Sequence, residues 1–105
     1  MAQDGHELHV FHSSADNSAV VSGQGWLDHS TCGMLQSAID EALDSGVERL
    51  RVDLLGLDGI DDAGLRCLAA TSERCRLSGI GRQIEASEPV RDLLAAAGLA
   101  EQSTV

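Results

Sequence analysis

The apolar positions of this chain switch between a spacing of about two residues and one of about 3.6, which marks strands alternating with helices. Residues 6–11, with Leu8 and Val10 among polar neighbours, and the small, β-branched residues 19–23 flank Asp16-Asn17-Ser18, and this predicts a β-hairpin. Met34, Leu35, Ala38, Ile39, Ala42 and Leu43 then recur at helical steps behind Ser30 and Thr31, hydroxyls suited to capping, and Gly46 is the expected stop. Residues 49–54 alternate strictly, so Leu50, Val52 and Leu54 share a buried face and Arg49, Arg51 and Asp53 the other.

After a loop carrying Gly56, Asp58 and Gly59, the pair Asp61-Asp62 stands where a helix N-cap and first turn favour acidic side chains. Leu65, Leu68, Ala69 and Ser72 are expected to face inward on that helix, and Gly79 to close it. Residues 82–86 hold only Ile84 as a clear apolar residue, which predicts a strand at a sheet edge. In the last helix Ser87 is placed to cap, Pro89 suits a first turn, and Val90, Leu93, Leu94 and Ala97 line one face; Gly98-Leu99 suits a Schellman end. The order β, β, α, β, α, β, α predicts a single α/β domain over residues 1–105, with a mixed sheet and helices mainly on one face. Leu50, Val52, Leu54, Ile39, Leu43, Leu65 and Leu68 are its expected core.

Composition narrows the function. The 105 residues carry a formal charge of −10, which disfavours a nucleic-acid partner. All seven basic residues are arginines. Without lysine there is no Schiff-base chemistry, no Walker-type phosphate loop and no receiver-type lysine. Cys32, Cys67 and Cys75 lack zinc-knuckle spacing and are expected to be reduced thiols; Cys67 and Cys75 on one helix would lie about 12 Å apart along its axis. No apolar run nears the roughly 18 residues of a membrane span and no basic-then-apolar leader opens the chain, so a cytoplasmic location without membrane insertion is expected.

Candidate chemical motifs give way to simpler readings. On a strand His6 and His12 would point one way and His9 the other, so no metal site is expected. Gly23-Gln24-Gly25 lacks the third glycine and the following helix of a dinucleotide loop. Asp58, Asp61 and Asp62 do not match an EF-hand, and Asp28-His29-Ser30 are chain neighbours rather than a triad. Neither catalysis nor a cofactor is expected. Trp26, one of two aromatic residues, reads on composition as half-buried at a strand end rather than as a contact anchor.

Two segments carry a resemblance to a known family. Gly25-Trp26-Leu27-Asp28 leads into Ser30-Thr31 and a helix; Val52-Asp53-Leu54 runs through Gly56-Leu57 to Ile60-Asp61-Asp62-Ala63-Gly64-Leu65. Together with Pro89-Val90-Arg91, Leu93-Leu94 and Gly98-Leu99, they resemble the STAS domain of bacterial anti-sigma factor antagonists over roughly residues 6–100. The resemblance implies a regulatory binding module that engages an anti-sigma factor, often a serine kinase, and so governs sigma-dependent transcription. It implies a partner surface of Trp26, Asp28, Ser30, Thr31, Asp61, Asp62, Ala63 and Gly64, in a monomer or weak homodimer. Trp26 stands where the family usually carries a polar residue, which reverses the compositional reading and makes it an expected anchor.

In the family, phosphorylation of the serine in Asp-Ser-x-Gly ends binding. Asp62 occupies that position here, so the chain is either held in a phosphorylated-like state or serves a partner that does not use the switch. An alternative within the same fold is an accessory subunit that binds the ATPase of a lipid-transport ABC system.

Overall fold

A computed structural model describes residues 7–98. The elements are β1 (Leu8–Ala15), β2 (Ser18–Leu27), α1 (Cys32–Asp44), β3 (Arg49–Ile60), α2 (Asp62–Ser78), β4 (Gly81–Ala86) and α3 (Glu88–Ala96). The strands lie side by side in chain order, β1 antiparallel to β2 and the other two pairs parallel. Parallel neighbours require a crossover, and α1 and α2 supply the two. This is the expected mixed sheet, with β4 at an edge.

The hairpin strands run longer than their apolar content suggests, because backbone pairing continues through polar residues. Ala15 pairs with Ser18 across Asp16-Asn17, so Ser18 opens β2 instead of belonging to the turn. Asp16 takes a left-handed conformation, φ 58°, which aspartate tolerates better than most side chains. The Asn17 carbonyl accepts the amides of Glu48 and Arg49 at 2.7 and 3.1 Å, fixing where β3 starts.

Alternation sorts the sheet into two faces. Leu8, Ala19, Val21, Leu50, Val52, Leu54, Ile84 and Ala86 are buried beneath the helices. Phe11, Arg49, Arg51 and Gln83 are exposed on the opposite face, where Arg51 pairs with Glu85 at 2.7 Å. From α1 come Leu35, Ile39, Ala42 and Leu43, from α2 Leu68 and Cys75, and from α3 Val90 and Leu94, all in the same cluster. Of the expected core, six residues are buried and Leu65 packs half-buried against it.

The helical stripes are narrower than the periodicity suggests. Met34 and Leu93 are about half exposed, at 50% and 45%. Ala97 is exposed beyond α3. In α2 the buried stripe is Gly64, Cys67, Leu68, Thr71 and Cys75, which leaves Ala69 exposed and Ser72 half-buried. The close seat of Gly64 on β2, described below, sets that rotation, and small polar side chains fill the stripe in place of large apolar ones. Ser87 occupies the N-cap position of α3, yet only its carbonyl takes part, accepting the Arg91 amide at 2.8 Å. Gly46, Gly79 and Gly98 take positive φ just past the three helices, as helix-ending glycines do. Leu99 and His6 lie outside the described residues.

Leu54 is fully buried at the centre of this core. Leu54→Ala should lower unfolding free energy by about 2–5 kcal/mol, read from the urea midpoint, whereas truncation of exposed Leu77 should cost under about 1 kcal/mol. Equal costs at the two positions would contradict the assigned core.

Candidate functional site

β3 does not end at residue 54 in the glycine-bearing loop expected there; it pairs with β2 as far as Ile60. Two irregularities make this possible, one between Ser22 and Gln24 and one between Gly25 and Trp26, where β3 supplies an extra residue. Gly56 and Gly59 face β2 at these points. A side chain at Gly56 would crowd Gln24, its Cβ falling 2.8 Å from the Gln24 Cγ. At Gly59 it would fall within the Trp26 indole, 2.7 Å from Cε3 and 2.8 Å from Cη2. The indole therefore lies over a bare stretch of backbone at the end of the sheet, still 36% exposed.

Beyond Leu27 the chain is held by its own polar side chains. Asp28 Oδ1 accepts the amides of Ser30 and Thr31 at 3.0 and 3.2 Å and the Ser30 hydroxyl at 2.8 Å. Thr31 is the N-cap residue of α1, but its hydroxyl does not cap the helix. It turns back, accepting the Asp28 amide at 2.9 Å and donating to the Trp26 carbonyl at 2.7 Å. The Asp28 carbonyl instead takes the amides of Thr31 and Cys32 at 3.1 and 2.8 Å.

The start of α2 is joined to this loop through Asp61. Its backbone is extended, and its Oδ1 accepts the Gly64 amide at 3.0 Å, the capping bond expected of an acidic N-cap. Its Oδ2 accepts the amide of His29, 32 positions away, at 3.3 Å. The Asp61 amide donates to the Leu27 carbonyl at 3.1 Å. Gly64 is buried against that same carbonyl; an added Cβ would fall 2.7 Å from the Leu27 oxygen and 2.7 Å from the Ile60 side chain. Two segments far apart in sequence thus become neighbours.

Trp26, Asp28, His29, Ser30, Ile60 and Asp61 line a shallow depression of about 310 Å³ between the two segments. Asp62, the first residue of α2, is exposed beside it, and Ala63 is half-buried. Thr31 and Gly64 are buried, so they shape this face from beneath. His29 lies within the expected stretch from Asp28 to Thr31, whereas Gly59 and Ile60 stand outside the expected site residues, and the only local hint of their role is the pair of glycines at 56 and 59, whose partners depend on strand register. His9 and His12 are both exposed, and His12 lies 3.7 Å from Glu41 of α1. Among the described residues no three His, Cys, Asp or Glu side chains gather as metal ligands, and no helix is long and apolar enough to cross a membrane.

A sheet with helices on one face, and an acid-capped helix start set against the loop after β2, define a STAS-type fold. The family model described as Mlab, STAS domain, matches residues 10–104, and the chain belongs to the STAS family. Among solved structures it is similar to an anti-sigma factor antagonist from Mycobacterium paratuberculosis, with 26% identity, a TM-score of 0.78, and coverage of 89% of this chain and 80% of that one. The anti-sigma factor antagonist SpoIIAA in its unphosphorylated form matches with TM-score 0.73 and 20% identity over 87% of this chain and 82% of that one. The Bacillus cell fate determinant SpoIIAA in its phosphorylated form matches with TM-score 0.69 and 19% identity over 87% and 85%. No curated protein matches by sequence.

Gly59→Ala should lift the indole from its seat. Because Trp26 is the sole tryptophan, its fluorescence reports this directly, and we expect a shift of the emission maximum to longer wavelength with the fold retained by circular dichroism. An unchanged spectrum would contradict the packing of Trp26 on Gly59.

Proposed function

We propose that this chain is a non-enzymatic regulatory module that binds an anti-sigma factor and thereby acts on sigma-dependent transcription in the bacterial cytoplasm, as a monomer or weak homodimer. The observation that carries the reading is the exposed Asp62 at the first position of a helix whose capping residue, Asp61, lines one depression with the partly exposed Trp26. Family membership and the fold shared with anti-sigma factor antagonists support the class of partner.

In this reading Trp26, Asp28, Ser30, Asp61, Asp62 and Ala63 meet the partner, while Thr31 and Gly64 hold the surface in shape. An aromatic ring with one exposed face supplies apolar area at little entropic cost, since its rotation is already restricted by the backbone beneath it. The carboxylates around it set the sign of the partner's matching patch, which is basic or rich in amide donors.

Asp62 sits where the resemblance places a phosphorylatable serine. A carboxylate cannot be esterified reversibly by a serine kinase. It carries about half the charge of a phosphate group and fewer acceptor oxygens, and at a helix N-terminus it is stabilised by the helix dipole. The fixed charge keeps the surface in one signalling state, and binding is set by the supply of partner and not by phosphorylation.

The experiment is binding of a purified anti-sigma factor, identified by co-purification from the source cell, to the wild-type chain and to Asp62→Ser. The serine form should bind about ten- to thirtyfold more tightly, equivalent to about 1–2 kcal/mol, and lose that gain when an active kinase and ATP are supplied. Equal, tight binding by both forms would make Asp62 a helix-start residue in an adaptor without a switch. Co-purification of an ABC-transporter ATPase in place of an anti-sigma factor would replace the proposed partner with the alternative one.

A further inference from the structure

Packing α1 against α2 brings together two cysteines that lie far apart in the sequence. Cys32 is the first residue of α1, half-buried, with its amide held by the Asp28 carbonyl at 2.8 Å. Cys67, in the second turn of α2, is buried at 8% exposure. Its Sγ lies 3.8 Å from the main-chain oxygen of Cys32 and 3.2 Å from Gln36 Oε1. With ordinary covalent geometry, that contact limits the two Cα atoms to at most about 9 Å apart, against a disulfide window of roughly 4.4–6.8 Å. A slide of about 2 Å between the first turn of α1 and the second turn of α2, with the Cys32 Sγ turned from the His29 carbonyl 3.8 Å away toward Cys67, brings the pair into that window.

The two thiols differ in access. Burial, followed by the neighbouring Cys32 and Asp40, pushes the Cys67 thiol up to about 11, so it stays protonated and is slow to meet an oxidant. Solvent reaches Cys32. Cys75 lies two further turns along α2, about 12 Å from Cys67 along the axis, too far to compete for it.

We infer that Cys32 and Cys67 form a dithiol modification site that takes a small peroxide as its oxidant. The Cys32 sulfur attacks one oxygen of hydrogen peroxide, the O–O bond breaks, and Cys32 sulfenic acid and water form. The Cys67 sulfur then displaces the sulfenic hydroxyl, its own proton leaving with that group as a second water, and the S–S bond forms. Two thiols have lost two electrons and one peroxide has become two waters. A dithiol reductant reverses the change. The bond joins the first turn of α1 to the second turn of α2, immediately behind residues 28–31 and the start of α2, and this holds whatever partner the face receives.

The test is peptide mapping without reduction after the native full-length chain is exposed to hydrogen peroxide and its remaining thiols are alkylated in denaturant. The expected product is a Cys32–Cys67 linked peptide, with a mass loss of about 2 Da that dithiothreitol restores and with Cys75 alkylated. In Cys67→Ser, Cys32 should instead accumulate as a sulfenic acid trapped by dimedone; in Cys32→Ser, Cys67 should stay reduced. Wild-type Cys32 trapped by dimedone as fully as in Cys67→Ser, without the linked peptide, would overturn the site. A link involving Cys75, or oxidation of Cys67 at the wild-type rate in Cys32→Ser, would overturn it equally.

Discussion

The rest of the structure depends on how closely the start of α2 sits against the end of β2. Gly64 rests on the Leu27 carbonyl where no side chain fits, and the Asp61 amide donates to that same oxygen. The Asp61 carboxylate then uses one oxygen to cap α2 and the other to hold the His29 amide. One residue thus satisfies a helix terminus and positions a loop from a different crossover. The helix must turn its small side chains inward to stay in this seat, and the stripe of Gly64, Cys67, Leu68, Thr71 and Cys75 follows from that rotation.

The same economy of side chains explains the exposed tryptophan. Where β3 runs past β2 with extra residues, the glycines at 56 and 59 leave bare backbone opposite Gln24 and Trp26. An indole that could not enter the aliphatic core finds a flat support at the sheet's end, with one face open to solvent. The ring, the Asp28-centred turn and the acidic helix start occupy one side of the molecule. Such a combination suits recognition by contact, because it offers apolar area and fixed charge without a deep cavity.

How much of this could be read from the sequence depended on whether the deciding interaction was local. Leu50, Val52 and Leu54 declared their face by alternation alone, and the pair Asp61-Asp62 a helix start by its position before an amphipathic helix, where the structure makes Asp61 the cap. A weak strand with one strong apolar residue, Ile84, was legible as an edge for the same reason. Interactions that need a partner across the fold were not legible. The continuation of β3 through Gly56 and Gly59 rests on strand register; the burial of Thr71 in place of Ala69 rests on the seat of Gly64. Thr31 stood in a capping place, yet its hydroxyl had a better use against the Trp26 carbonyl. The candidate surface itself came from family resemblance, and within it the structure separates residues that can be touched from those that shape.

In the proposed function a protein partner docks where the loop after β2 meets the start of α2. Amide hydrogen exchange of the chain, alone and saturated with an anti-sigma factor that co-purifies with it, measures this residue by residue. The account predicts new protection concentrated at residues 26–31 and 59–65, with the open sheet face unchanged. Protection centred on that open face, around Val20, Arg51 and Gln83, with the helix starts exchanging as in the free chain, would contradict it.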